Sequence, residues 1–180
     1  MKDTIIYDIF HFFRSYFLGA TICAILVGVG YIFYCYRQGR LRTKVLKGVV
    51  ISMFAAYCYI VLGITLLSRE QEAYRVIKLL PFSTFGWNSV AVKYIVENIL
   101  LFVPFGIFAN LLWQKRLTAK YFVWIAMISS MGIEFFQYIT GRGRVETDDV
   151  ILNTFGAVIG WYLCKFFYKI IINIFTKENQ

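Results

Sequence analysis

Four stretches of this chain place ionisable or amide side chains at the edges of long apolar blocks. Arg69 follows one block, Glu97 and Asn98 open the next, Glu134 and Gln137 close a third, and Asp149 and Asn153 open a fourth. Amides and carboxylates can orient a polar ligand through hydrogen bonds, and a buried carboxyl group can also exchange a proton. Glu134 and Gln137 are i,i+3 and Asp149 and Asn153 are i,i+4, so each pair shares one helical face. Gly156 and Gly160 continue the second face as a GxxxG pair, which lets a neighbouring helix approach closely. Arg142 and Arg144 lie in the turn between the two pairs. Their guanidinium groups could neutralise Glu134, Asp148 or Asp149, or bind a phosphate.

These residues admit more than one reading. Buried Glu, Gln and Asn can act only as hydrogen-bonded glue between helices, and Asp148 and Asp149 can cap a helix start. Asn98 could bond the backbone group freed by Pro104. Convergence of four segments at one depth favours a ligand-contacting pocket over glue alone. The carboxylates Glu97, Glu134, Asp148 and Asp149 offer oxygen ligands for Mg²⁺ or Ca²⁺, but they form no ordered metal motif, so no cofactor is expected. No HExxH, GxSxG or P-loop pattern is present, and His11 is the one histidine. Cys23, Cys35, Cys58 and Cys164 lie in or beside apolar blocks and read as small packing residues.

The elements that must position these residues are membrane helices. The chain has 180 residues, 59% of them hydrophobic and 16% charged. A soluble domain would carry about a quarter charged residues. The apolar residues come in blocks of about 20, the length that spans about 30 Å of hydrocarbon as helix. Spans are predicted over about 16–36, 45–67, 94–113, 121–140 and 149–174, and Pro104 predicts a kink in the third. The fold class is therefore an all-α polytopic bundle of five spans, read as one membrane domain over residues 1–180. Between the second and third spans, Pro81, Gly86 and Asn88 argue against a further crossing. Phe82, Phe85 and Trp87 there favour lying in the membrane interface.

The net charge of +9 is concentrated in turns between apolar blocks. That pattern points to topology and contact with anionic lipids rather than nucleic acid. The basic clusters 37–47, 115–120 and 165–177 fall on one side of a five-span chain. The positive-inside rule makes that side cytoplasmic, with the N-terminus outside, the C-terminus inside and the polar cluster facing outward.

Three stretches resemble the VanZ-like family of bacterial membrane proteins. They are Glu97-Asn98-Ile99-Leu100-Leu101-Phe102-Val103-Pro104-Phe105-Gly106, then Gly132-Ile133-Glu134-Phe135-Phe136-Gln137, then Thr147 through Gly160 with Asp148-Asp149, Asn153-Thr154 and both glycines. Leu80-Pro81-Phe82 is a looser match to a segment that often reads N-L-x-P-F, with Lys78 here at the asparagine position. The similarity covers a core of about 65–161. It implies a membrane domain of four or five helices, with Asn98, Glu134, Gln137, Asp149 and Asn153 as the positions to carry over. The founding member of that family is linked to resistance against teicoplanin, a lipoglycopeptide that acts on cell-wall precursors outside the membrane.

The leading expectation is an outward-facing intramembrane site for a cell-envelope component: a membrane lipid, a lipid-linked wall precursor or a lipoglycopeptide. Arg69, Arg142 and Arg144 would meet anionic groups, and Asn98, Glu134, Gln137, Asp149 and Asn153 would orient the polar part. A rival is an intramembrane enzyme in which Glu134 is general acid or base and Asp149 its partner. A third is a structural or assembly subunit without a site.

Overall fold

A computed structural model describes the backbone of residues 2–39, 41–67, 76–83, 85, 89–113 and 115–177, and the side chains of 16–39, 44–66, 76–83, 85, 89–113 and 115–170. Helices α1 (Lys2–Arg37), α2 (Leu41–Leu62, prolonged by a π-helical turn Gly63–Leu67), α3 (Ser89–Trp113), α4 (Ala119–Thr140) and α5 (Thr147–Lys177) dominate the chain. All five contain a stretch long and apolar enough to cross a membrane: Tyr16–Arg37, Lys44–Leu66, Ser89–Trp113, Ala119–Thr140 and Thr147–Ile170. The protein is an all-α, multi-pass membrane protein. Two-residue strands β1 (Ile77–Lys78) and β2 (Val145–Glu146) are the sheet among the described residues, and they pair in parallel.

The chain divides into two compact units, Met1–Ser68 and Arg69–Gln180. In the first, α1 and α2 form a hairpin that turns at Gly39, which has φ +63°. Its packing is glycine against tyrosine. A Cβ on Gly19, Gly48 or Gly63 would run into the ring of Tyr59, Tyr31 or Tyr16 respectively. Helix α1 begins well before the apolar block that starts at Tyr16, so the first helix is longer than hydropathy alone predicts.

In the second unit, α3 and α5 run side by side in the same direction, and α4 returns antiparallel against α5, reaching α3 through side chains such as Phe122 on Phe105. Three glycines set the α3–α5 separation. A Cβ on Gly156 would fall 2.1 Å from the Ile99 carbonyl oxygen, and one on Gly160 or Gly106 would fall 1.9 Å from the oxygen of Val103 or Ala157. Only hydrogen fits there, so the backbones touch directly, the geometry in which Cα–H···O contacts and dispersion replace the missing hydrophobic drive between helices in lipid. Helix α3 runs continuously across Pro104. Beyond the glycine contact lies an apolar layer of Phe102, Ala109, Phe122, Ala126, Ala157 and Trp161. Phe122 and Trp161 stack with ring centroids 4.4 Å apart.

Burial is inverted relative to a soluble core. Large apolar side chains such as Phe135, Phe136, Leu100, Phe155 and Phe166 point outward, whereas Asn98, Ser130, Glu134, Gln137, Glu146, Asp148, Asp149 and Asn153 are buried. That distribution suits lipid as solvent: apolar groups lose nothing by facing hydrocarbon, and polar groups must find partners inside.

Candidate functional site

The buried polar groups collect where α4 ends and α5 begins. Helix α4 stops at Gly141, which adopts φ +66° and sends its N–H to the carbonyls of Gln137 and Tyr138. Arg142 N–H also bonds Gln137 O at 3.1 Å, so the last carbonyls are satisfied by a left-handed glycine cap. A second left-handed glycine, Gly143 at φ +122°, completes the reversal. The chain then runs extended through β2, where Ile77 pairs with Val145 and Lys78 with Glu146, and enters α5 at once. This short connection puts three carboxylates beside the end of α4.

Each carboxylate has its own task. Glu134 Oε2 accepts the backbone N–H of Glu146 at 3.0 Å, which ties β2 down onto α4. Glu146 in turn accepts Lys78 Nζ at 2.8 Å across the bridge; Glu146 is buried and the Lys78 side chain is 41% exposed. Asp148 accepts the backbone N–H of Phe82 and, at 3.4 Å, the Ser83 hydroxyl. Phe82 stands at φ +63°, a left-handed conformation that bulky residues rarely adopt. The Asp148 contact therefore holds a turn that a phenylalanine would otherwise leave. That turn presents Leu79, Leu80, Phe82 and Phe85 to the surroundings, as expected of an apolar segment that does not cross the membrane. Asp149 accepts Asn98 Nδ2 at 2.8 Å and the Tyr94 hydroxyl at 3.3 Å, joining α5 to α3. Asn153 donates to Ser130 Oγ at 2.9 Å, joining α5 to α4 one turn deeper.

The predicted site residues divide accordingly. Asn98, Glu134, Gln137, Asp149 and Asn153 are brought together and buried. Glu134 and Asn153 do not bond each other; they take separate partners, Glu146 N–H and Ser130, one turn apart along α4. Asn98 bonds Asp149, not the backbone freed by Pro104. Arg142 is half-buried and Arg144 exposed in the turn. Arg69 lies outside the described residues, as do Gly86, Trp87 and Asn88. Glu97 points away: it is exposed and sits 3.6 Å from Lys93. Being adjacent in sequence to Asn98, it is about 100° round the helix from the buried face. Among the described residues no three His, Cys, Asp or Glu side chains converge to hold a metal ion.

Sequence reasoning missed Tyr94, Ser130 and Glu146, and it noted Lys78 only at the asparagine position of the looser family match, without a role in the site. Ser130 was accessible in principle, since it lies i−4 from Glu134 on the same face. Lys78 and Glu146 meet only through the parallel bridge, which no local pattern announces in two residues.

Beside these groups runs an open groove of about 410 Å³, lined by Ile77 and Leu79 of the β1 segment, Met131, Glu134, Phe135 and Tyr138 of α4, Val145 and Glu146 of β2, and Thr147 and Val150 of α5. Its walls are almost wholly apolar, and Glu134 and Glu146 are its two acidic side chains. The volume falls in the range of about 300–1,000 Å³ that small-molecule sites occupy.

A model of the VanZ/LLP1 family matches residues 54–168. Protein VanZ of Enterococcus faecium is 28% identical over 86 residues, which are 48% of this chain and 50% of that protein. The chain thus spans about half the length of this curated relative. No solved structure matches it. The family match runs from within α2 to near the end of α5 and takes in both strands of the bridge and every buried carboxylate described above, so the chain belongs to the VanZ/LLP1 family.

Proposed function

We propose that the groove between α4, the β1–β2 bridge and the start of α5 binds an amphiphilic component of the bacterial cell envelope. Its apolar part would lie against Ile77, Leu79, Met131, Phe135 and Val150. Its polar part would meet Glu134 and Glu146, with Lys78 paired to Glu146 at the side. One observation carries the reading: an apolar groove open at the side has two buried carboxylates in its lining. Helix packing alone does not need acids beside a lipid-accessible groove, because ionisable groups at membrane depth are costly. An amphiphile that enters sideways from the bilayer would satisfy both surfaces at once.

In this reading Asp148, Asp149, Asn98, Asn153 and Ser130 are the supporting frame that fixes the groove. The distribution of Lys and Arg orients the site outward, with the N-terminus outside and the C-terminus in the cytoplasm. That placement fits a ligand exposed on the outer leaflet, a lipid or a lipid-linked wall precursor, and agrees with the link of the family's founding member to teicoplanin resistance.

The test is photo-crosslinking in native membranes. A benzophenone amino acid is placed at Leu79 or Phe135 in the groove, or at Leu100, an exposed position on α3. Adducts are identified by mass spectrometry. Groove positions should capture one amphiphile class enriched over bulk lipid, and Leu100 should capture bulk lipid. The same bulk profile at all three positions would overturn the proposal.

A further inference from the structure

Helix α4 starts without a side-chain cap. Thr118 stands at its N-cap position with extended backbone (φ −81°, ψ 155°), yet its hydroxyl caps nothing, and the first turn carries no acidic side chain. The helix's first bond runs from Phe122 N–H to the Thr118 carbonyl at 3.0 Å. The N–H groups of Ala119, Lys120 and Tyr121 therefore lack an intrahelical acceptor. Spare N–H groups at a helix start favour an anion. A pocket of about 250 Å³ opens at this turn, with Ala119, Lys120 and Val123 of α4 on one side and Trp161 and Tyr162 of α5 on the other. Trp161 is only 4% exposed and stacks on Phe122. Its indole N–H forms no hydrogen bond among the described residues, although a buried indole normally finds an acceptor. One pocket thus gathers three kinds of donor: helix-start N–H groups, an ammonium and an indole N–H. The charge around it has one sign. No Asp or Glu occurs between Asn98 and Ile133 or between Val150 and Thr176, whereas Lys115, Arg116, Lys120, Lys165 and Lys169 do. None of these five cations has an ion pair among the described residues.

We propose that this pocket binds the phosphodiester of an anionic glycerophospholipid, which serves as the missing cap of α4. The phosphate oxygens accept from the N–H groups at the helix start and pair with the Lys120 ammonium. The Trp161 N–H donates to an ester oxygen of the same head. The walls select a lipid over free phosphate. Val123 and Tyr162 line the pocket and are themselves 37% and 52% exposed, so acyl chains can lie along them, and a fully hydrated ion gains nothing there. The charge selects an anionic head over a zwitterionic one. An ammonium beside the phosphate would meet cations at this end and find no carboxylate among the described residues, because the buried carboxylates lie at the opposite end of α4 and α5. The site shares no lining residue with the groove, so it stands or falls independently of the function proposed above.

The experiment titrates the full chain in detergent with phosphatidylglycerol or phosphatidylethanolamine of identical acyl chains, read by native mass spectrometry and by thermal unfolding. The wild type should bind the glycerol lipid at least tenfold more tightly than the ethanolamine lipid. At a hundred times its dissociation constant, the glycerol lipid should raise Tm by about 5–11 °C. Inorganic phosphate at the same concentration should not. Lys120→Gln should cut the preference for the glycerol lipid below about threefold. Lys169→Gln removes a cation of α5 outside the pocket and should keep the wild-type preference. Thr118→Asp builds the cap into the chain. It should raise Tm of the lipid-free protein by a few degrees and abolish most of the lipid-dependent rise. Equal affinity for the two lipids in the wild type would overturn the site. Equal losses in Lys120→Gln and Lys169→Gln would replace it with a diffuse positive field, and equal protection by inorganic phosphate would remove the lipid from it. A lipid-dependent rise that survives Thr118→Asp would refute the capping role. Should a variant fail to fold, the wild-type ranking and the inorganic phosphate arm decide alone.

Discussion

Replacing Gly156 with alanine asks whether the close approach of α3 and α5 is what assembles the site. The added Cβ would lie 2.1 Å from the Ile99 carbonyl oxygen and 2.9 Å from its carbonyl carbon. A carbon rests no nearer than roughly 3.3 Å to such an oxygen, so the two backbones must part by about 1 Å. No flexible side chain can yield instead, because the obstacle is backbone. Asn98 immediately precedes Ile99, and its Nδ2 lies 2.8 Å from Asp149. Carrying α3 outward by about 1 Å takes that pair toward about 4 Å, beyond hydrogen-bonding range. Overpacking of this kind costs about 1–3 kcal/mol, and loosening a hydrogen bond to a carboxylate adds about 1.5–3 kcal/mol. In a chain of this length each kcal/mol moves Tm by roughly 2–4 °C, so Gly156→Ala should lower Tm by about 5–20 °C. The control is Gly132→Ala on α4, where a Cβ would meet nothing within 4 Å. Alanine is the better helix former by about 1 kcal/mol, so that variant should match or exceed the wild type. Both are read by thermal unfolding of the purified protein in detergent. If the two alanines give the same Tm, the glycine contact does not hold α3 on α5, and the account of how Asn98 reaches Asp149 is wrong.

Four further outcomes follow from the same geometry. Glu134→Gln keeps an acceptor for Glu146 N–H and should unfold close to the wild type, whereas Glu134→Ala strands a buried N–H and should cost about 1–3 kcal/mol in the same melt. Where the protein has a measurable cellular effect, retention of part of it in Glu134→Gln favours a binder, and complete loss at a normal folded level favours proton transfer. Asp148→Ala should speed hydrogen exchange at the Phe82 amide, and adding Phe82→Gly should recover part of the lost stability, since glycine accepts φ +63° without the bulky residue's strain. Asn153→Ala and Ser130→Ala in a double-mutant cycle should show a coupling of about 0.6 kcal/mol, the average for an interhelical hydrogen bond in a membrane. Glu97→Gln should leave melting and ligand binding unchanged, because its partner Lys93 and the pair itself are exposed.

Hydropathy made the five spans legible because lipid imposes length and composition together. The α4–α5 neighbourhood was equally legible, since a turn of a few residues forces antiparallel contact. Depth counting put Asn98, Gln137, Glu134, Asp149 and Asn153 near one level; all five are buried, with the Asn153–Ser130 contact one turn below that of Glu134. Partner identity was not legible. Glu134 spends an oxygen on the backbone of Glu146, and Asp148 binds the backbone of Phe82, neither of which a helical wheel displays. Those contacts depend on the parallel bridge between residues 68 positions apart, too short to carry a strand pattern and set by where the loop after α4 happens to land. Glu97 misled for a simpler reason: adjacency to Asn98 in sequence places it on a different face of α3.

The polar cluster also stops, and where it stops constrains its use. Moving along α3 from Asn98, the next buried side chain is Phe102. Along α4 from Ser130 it is Ala126 and then Phe122, and along α5 from Asn153 it is Ala157 and then Trp161. Those residues form the apolar layer, with the Phe122 and Trp161 rings stacked across it. Asn110 is the buried amide on its far side, and its carboxamide has no hydrogen-bond partner among the described residues. A path for an ion or a proton through the α3–α5 unit would need polar groups across that layer, because a charge pays heavily for crossing apolar surroundings unpaired. The carboxylates therefore lie at one end of the bundle, beside the groove proposed above as the binding site. A ligand that reaches them comes along the bilayer plane or from the face nearest Glu146. Substituting Ala126 by serine on the layer should accordingly leave groove binding unaltered, whereas a protein that conducted through this unit would gain in conductance from the same change.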